Sequence, residues 1–219
     1  MAPKLYMTPS SAVVRAVLLT EAALGLNLEH VEVDLSKREH LTPEFEKMNP
    51  AHSLPTLVDD GKVIFDSAAI NIYLVEKYGQ GSPLYPKDPY EKALVHQTLH
   101  FASGQLFPAT RQVIRPIMLE GAKEMCPNGV KVVNDTYGML ENMLGGKAWF
   151  TGDKMTIADL GILPILTSTD HPGIMPVDEN KFPNLKAWLG RCKKLPFYGC
   201  NEKGNEMFIQ IFLHNLHSK

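Results

Sequence analysis

The feature that most constrains this chain is a change of pattern at Gly79. Before it, short runs of strand character alternate with stretches of helical spacing; after it, strand signals stop. Leu5-Tyr6 closes a first apolar run, and the turn and cap residues Thr8-Pro9-Ser10-Ser11 follow. Val13, Ala16, Val17, Thr20 and Ala23 then recur at helical spacing until Gly25. Leu28 to Leu35 reads as a strand, in which Val31, Val33 and Leu35 alternate with Glu32 and Asp34. Thr42-Pro43 places a cap and a first-turn proline before a short helix through Phe45 and Met48. Thr56-Leu57-Val58 and Val63-Ile64-Phe65 flank Asp59-Asp60-Gly61-Lys62, a hairpin signal. Ile70, Ile72, Tyr73 and Val75 belong to a helix that ends at Gly79. The order βαβαββα predicts a mixed sheet with helices, an α/β unit over residues 1–80.

Gln80 to Pro89 is rich in Gly and Pro and reads as a linker. Beyond it the chain predicts an all-α unit over residues 90–219. Tyr90 to Arg115 forms one long helical pattern, expected to bend at Pro108 and to be interrupted at Pro116. Asn128 to Leu144 forms another, closed by Gly145-Gly146. Thr156 to Thr167 is a largely apolar, buried helix, and Thr156 with Asp159 makes its capping box. Asn184 to Lys194 carries Trp188 toward a core, and Gly204 to Leu216 is a last amphipathic segment.

With 219 residues, 44% hydrophobic and 21% charged, the chain can bury one or two ordinary cores. A net charge of -2 gives no electrostatic footprint for nucleic acid or an anionic membrane. Met1-Ala2-Pro3-Lys4 leads into no signal-peptide core, and no apolar stretch approaches the roughly 20 residues of a membrane span. Cys126, Cys192 and Cys200 are too irregularly spaced for a disulfide framework or a zinc site, and no metal is expected. A cytoplasmic protein is the expectation.

Chemistry concentrates in three places. Asn49-Pro50-Ala51-His52-Ser53-Leu54-Pro55-Thr56-Leu57 joins a loop to an extended run, where Pro55 can hold a cis peptide bond. Such a turn leaves the N–H and C=O of Leu54 free to pair with a peptide-like ligand. Asp66-Ser67 opens a helix just after a strand, and a helix N-terminus favours a carboxylate. Asp66 adds a carboxylate suited to an α-ammonium group, so the pair can hold both ends of an amino-acid zwitterion. Ser11 starts the first helix, where a thiolate is stabilised and a hydroxyl can donate to it. Ser11 and Ser10 read equally as plain N-caps, and His40 and His52 as solvated loop histidines or as donors to a ligand carboxylate.

Taken together these segments resemble the cytosolic glutathione transferases, most closely the insect delta and epsilon classes, with epsilon favoured. The resemblance rests on Ser11 to Arg15, Glu39 to Phe45, Asn49 to Leu57, Leu84 to Pro89 and Thr156 to Asp159. It implies a thioredoxin-like N-terminal domain, an all-helical C-terminal domain and a homodimer. It further implies that Ser11 activates the glutathione sulfur and that His40 and His52 bind the glycyl end. Leu54, before Pro55, would pair its backbone with the cysteinyl unit, Ser53 and Pro55 would also bind glutathione, and Asp66 and Ser67 would hold the γ-glutamyl group. Ser10, Phe107, Arg111 and Ile114 would line an apolar co-substrate pocket between the domains. The chain departs from the pattern at Ala68, where Arg or His is usual, at Ala102, where an acid often follows Phe, and at Ala12-Val13, in place of prolines.

The implied activity is conjugation of glutathione, as co-substrate, to hydrophobic electrophiles in detoxification. Alternatives are a non-catalytic binder of hydrophobic ligands or a glutathione-dependent peroxidase or isomerase. A thiol oxidoreductase on this fold needs a cysteine at the first helix, and the chain has none before Cys126.

Overall fold

The computed structural model describes residues 2–218. Its N-terminal part contains β1 (Lys4–Met7), α1 (Ala12–Leu24), β2 (Glu29–Glu32), α2 (Pro43–Met48), β3 (Thr56–Asp59), β4 (Lys62–Phe65) and α3 (Ser67–Tyr78). The sheet order is β2-β1-β3-β4. β1 and β2 are parallel, a pairing that needs the crossover α1 supplies, while β1–β3 and β3–β4 are antiparallel. This is the expected mixed sheet, thioredoxin-like, with one correction to its second strand. β2 ends at Glu32 rather than Leu35, because the Asp34 carboxylate accepts from the Ser36 N–H and hydroxyl and turns the chain away.

Alternation along β1 decides which side chains reach the main core. Leu5 and Met7 are buried with Val14, Val17, Ile70 and Leu74 beneath α1 and α3. Tyr6 takes the other face and meets Phe45 of α2 edge-on, ring centroids 6.1 Å apart. Asp59 ties α3 to the hairpin: its Oδ2 accepts from Tyr73, Lys77 and Tyr78, each at 2.7 Å.

The linker is docked on the helical part, its Leu84 carbonyl accepting from the Ile157 N–H at 2.9 Å. That part comprises α4 (Pro89–Phe101), a π-helical segment (Ala102–Leu106), α5 (Phe107–Leu119), α6 (Pro127–Leu144), α7 (Ile157–Thr167), α8 (Pro183–Cys192) and α9 (Gly199–His217). The expected break at Pro116 is not there. The irregularity lies one turn before Pro108, which has no N–H for the Gly104 carbonyl. The ladder widens instead, and the Phe107 N–H donates to the Ala102 carbonyl five residues back. Pro116 sits inside α5, which forgoes one bond and continues. α9 starts at Gly199, so Gly204 lies within it rather than opening it.

α7 is buried along its whole length and is the axis of the helical core. Its capping box is formed: the Asp159 carboxylate accepts from the Thr156 N–H at 2.9 Å. The same carboxylate accepts from Trp188 Nε1 and the Phe150 N–H, each at 3.0 Å, joining α7 to α8 and the preceding loop.

α1 is shared by both parts, packing on α3 at one side and on α7 and α9 at the other. Arg15 is fully buried in that seam. Its guanidinium donates to Asn201 Oδ1 and Ser168 Oγ, each at 2.6 Å, and to the Pro164 carbonyl at 3.3 Å. Among the described residues no carboxylate pairs with it, and burial pulls its pKa down to about 10. No described helix is long and apolar enough to cross a membrane.

Candidate functional site

Asn49 organises the first loop of the site. Fully buried, it donates from Nδ2 to the Ser53 carbonyl at 2.9 Å and to Thr56 Oγ1 at 2.8 Å, and its Oδ1 accepts from the Ala51 N–H at 2.9 Å. Held this way, His52 takes a left-handed φ of 51°. Its Nδ1 lies 3.3 Å from the His40 carbonyl. A carbonyl only accepts, so Nδ1 carries the proton of that bond and Nε2 is left for a second partner, with Glu46 at 3.8 Å. His40 occupies a 3₁₀ turn, Glu39–Leu41, and its buried Nδ1 has no partner among the described residues. The Leu54–Pro55 peptide is cis, and neither the N–H nor the C=O of Leu54 is bonded to backbone among the described residues.

Asp66 stands between β4 and α3 with φ of 76°. Its Oδ1 caps the helix, accepting from the N–H groups of Ala68 and Ala69 at 2.9 and 3.1 Å. The second carboxylate oxygen of this exposed side chain takes no part in the cap and is available to a cation. Ser67, the first residue of α3, follows at the positive end of the helix.

Ser11 occupies the N-cap position of α1, its carbonyl accepting from the Arg15 N–H at 3.0 Å. Its side chain makes no capping hydrogen bond. The plain-cap reading therefore does not account for this hydroxyl, which has no hydrogen-bond partner among the described residues and stands at the positive end of the helix. Tyr6 is directed to the α2 face of the sheet, away from α1, and Arg15 is directed into the seam behind Ser11.

A cleft of about 250 Å³ lies where the two parts meet. Ser53, Leu54, Pro55, Asp66, Ser67 and Phe107 line it, and so does Val13, two residues beyond Ser11. Ser10, Ser11, His40, His52, Arg111 and Ile114 do not line this cleft directly. Phe107, Arg111 and Ile114 share one face of α5, with the Arg111 guanidinium 5.8 Å from the Phe107 ring centroid. A larger groove along the linker, lined by Tyr85, Lys87, Lys92 and Asp153, holds none of the predicted site residues.

Two contributors escaped the sequence reading. Asn71, one turn after Ser67, borders the cleft; its only signal is a polar residue within the apolar run Ile70 to Val75. Gly204 of α9 meets the loop before Ser11: a Cβ there would overlap the Pro9 carbonyl oxygen and lie 2.8 Å from Cδ of Arg15. α9 approaches the start of α1 this closely only because residue 204 has no side chain. Beyond it on α9, Met207 and Ile211 are exposed.

Comparison with known proteins yields a consistent picture. The family pattern described as glutathione S-transferase, N-terminal domain, matches residues 1–76, and the corresponding C-terminal domain pattern matches residues 91–196. The chain is 40% identical over 205 residues to glutathione S-transferase 1 of Manduca sexta, covering 93% of this chain and 94% of that protein. An epsilon-class glutathione S-transferase from the housefly, Musca domestica, superposes with a TM-score of 0.93 at 38% identity, covering 97% and 98% of the two chains. A glutathione transferase homologue from Drosophila mojavensis, solved with bound glutathione, gives a TM-score of 0.94 at 35% identity over 98% and 97%.

Proposed function

The chain belongs to the glutathione S-transferase family, and on that footing we propose how its own residues bind glutathione and activate the thiol. The observation that carries the reading is the Ser11 hydroxyl, which stands at the N-terminus of α1 and makes no cap. Its O–H donates to the glutathione sulfur, and the positive end of α1 adds to the stabilisation of the thiolate. The thiol proton passes to solvent. The sulfur then forms a C–S bond to an electrophilic carbon, and either a leaving group departs or an unsaturated acceptor takes up a proton. Holding thiolate and acceptor together supplies much of the acceleration.

The rest of the tripeptide follows the cleft. Leu54 pairs its backbone with the cysteinyl unit beside Ser53 and Pro55, and His52 and His40 take the glycyl carboxylate. The uncommitted oxygen of Asp66 takes the γ-glutamyl ammonium while Ser67 and the start of α3 take its carboxylate. Phe107, Arg111 and Ile114 on α5, with Ser10, face a hydrophobic co-substrate. Residues 1–80 form the glutathione-binding domain and residues 90–219 the domain contributing the co-substrate wall. The reading extends to a cytoplasmic, detoxifying homodimer nearer the epsilon class, for which exposed Val63 and Phe65 on β4 and Tyr90 on α4 offer apolar surface.

The test is the pH dependence of turnover with a general aromatic electrophile. Ser11→Ala should raise the apparent pKa of bound glutathione and lower turnover by about 10²–10⁴-fold, the range for a positioned proton-handling group, with less loss if the helix dipole dominates. Tyr6→Phe should do little. A pKa shift in Tyr6→Phe with none in Ser11→Ala would transfer the role to the tyrosine.

A further inference from the structure

Asn71 is fully buried, yet neither Oδ1 nor Nδ2 has a hydrogen-bond partner among the described residues. An amide in that state is costly unless something outside the protein satisfies it. The residue borders the interdomain cleft one helical turn after Ser67 on α3, and Ala68, Ala102 and Ser103 line the same cleft. Ala68 and Ala102 bring only a methyl group each to this wall. The terminal torsion of asparagine is broad, so its amide reorients at small cost.

We propose that Asn71 is a positioning residue for the α-carboxylate of the γ-glutamyl group, donating to it from Nδ2 directly or through one bound water. This rests on the assignment of Asp66 and Ser67 to the γ-glutamyl group. With Oδ2 of Asp66 on the ammonium, the carboxylate falls toward Ser67, the residue on whose helical face Asn71 lies. A neutral amide in a low-dielectric pocket holds an anion without stranding a buried charge when the site is empty, which an arginine or lysine there would do. The ligand in turn relieves the unpaired amide.

The experiment is titration calorimetry on wild type, Asn71→Leu and Asn71→Asp with two ligands: glutathione, and its analogue lacking only the α-carboxylate, 4-aminobutyryl-cysteinyl-glycine. Asn71→Leu keeps the branching of the side chain while removing both polar atoms, and should bind glutathione at least about tenfold more weakly, the scale of one lost hydrogen bond to a charge. It should bind the analogue as wild type does. Asn71→Asp should weaken glutathione binding further at neutral pH and recover toward the Asn71→Leu value as the pH is lowered. Equal losses for both ligands, or no loss for either, would overturn the inference, because a merely structural role cannot distinguish them. Asp66→Ala serves as the marker of the underlying assignment: if it binds glutathione like wild type, the γ-glutamyl reading fails; if it weakens while Asn71→Leu does not, only the role of Asn71 fails. Should Asn71→Leu not fold, the Asn71→Asp comparison between the two ligands decides alone.

Discussion

Replacing Gly204 by alanine is a one-methyl perturbation with a calculable effect on a site it does not touch. The new Cβ would lie 2.8 Å from Cδ of Arg15 and 3.0 Å from the Pro9 carbonyl carbon, and would overlap the Pro9 oxygen. Ordinary contacts begin near 3.4 Å. Arg15 cannot yield, since its guanidinium is held by Asn201, Ser168 and Pro164. The Pro9–Ser11 segment must therefore move, and Ser11 moves with it. Overpacking of this kind costs about 1–3 kcal/mol, against a helix-propensity gain of about 1 kcal/mol for alanine over glycine. The net loss, about 0–2 kcal/mol, lowers the melting temperature by up to about 8 °C at this chain length. Turnover should fall more than stability, since about 1 Å of misplacement can cost about 10²-fold. Gly190→Ala is the control: it lies within α8 with nothing near the added methyl, and should raise the melting temperature by about 2–4 °C with turnover unchanged. Melting curves and turnover of both variants decide the matter. If Gly204→Ala behaved like Gly190→Ala, the account of α9 as a buttress for the Ser11 loop would be wrong.

Other expectations follow from the same geometry. His52→Ala and Asp66→Ala should each weaken glutathione binding by about 1.5–3 kcal/mol, and more than His40→Ala does; calorimetric affinities within about twofold of wild type would refute the assignment. Asp159→Ala removes a buried acceptor used by Thr156, Phe150 and Trp188, so it should lower the melting temperature while turnover at low temperature persists in the folded fraction. Burial pushes the Asp59 carboxyl up, but hydrogen bonds from Lys77, Tyr78 and Tyr73 outweigh it and its pKa is lowered overall. Its contribution to stability is therefore present above the ordinary carboxylate pKa and is lost as pH falls through the lowered value. Asp59→Asn should flatten that acid limb in denaturation curves taken from pH 5 downward.

The sequence disclosed what local chemistry determines. The succession of strands and helices along the chain, the hairpin at Asp59-Asp60-Gly61, the capping box at Thr156 and the helix start at Asp66 all depend on neighbours a few residues apart. The end of β2 at Glu32 escaped the alternation rule because Asp34 makes an Asx-type turn with Ser36, which competes with continued pairing. Pro116 looked like a breaker, yet packing keeps α5 intact across it, while Pro108 acts one turn upstream through the carbonyl it cannot serve. Of the residues proposed for the site, Ser11, Leu54 and Asp66 stand where the sequence placed them, at turns and helix starts. Asn71 and Gly204 were not legible in the sequence, since their meaning depends on a cleft and a helix contact made by residues far along the chain.

Arg15 carries a consequence for the exchangeability of the two halves. Its charge is lodged in a socket of neutral oxygens that the later half of the chain supplies: Pro164, Thr167, Ser168 and Asn201. A chimaera joined at the linker inherits the cation from one parent and the socket from the other. A parent lacking those acceptors leaves a buried guanidinium with nowhere to donate, a defect that no repacking of apolar neighbours relieves. Shuffling among relatives is thus restricted to pairs that share the socket, and the first helix descends with the domain it packs against as much as with the one it is written in.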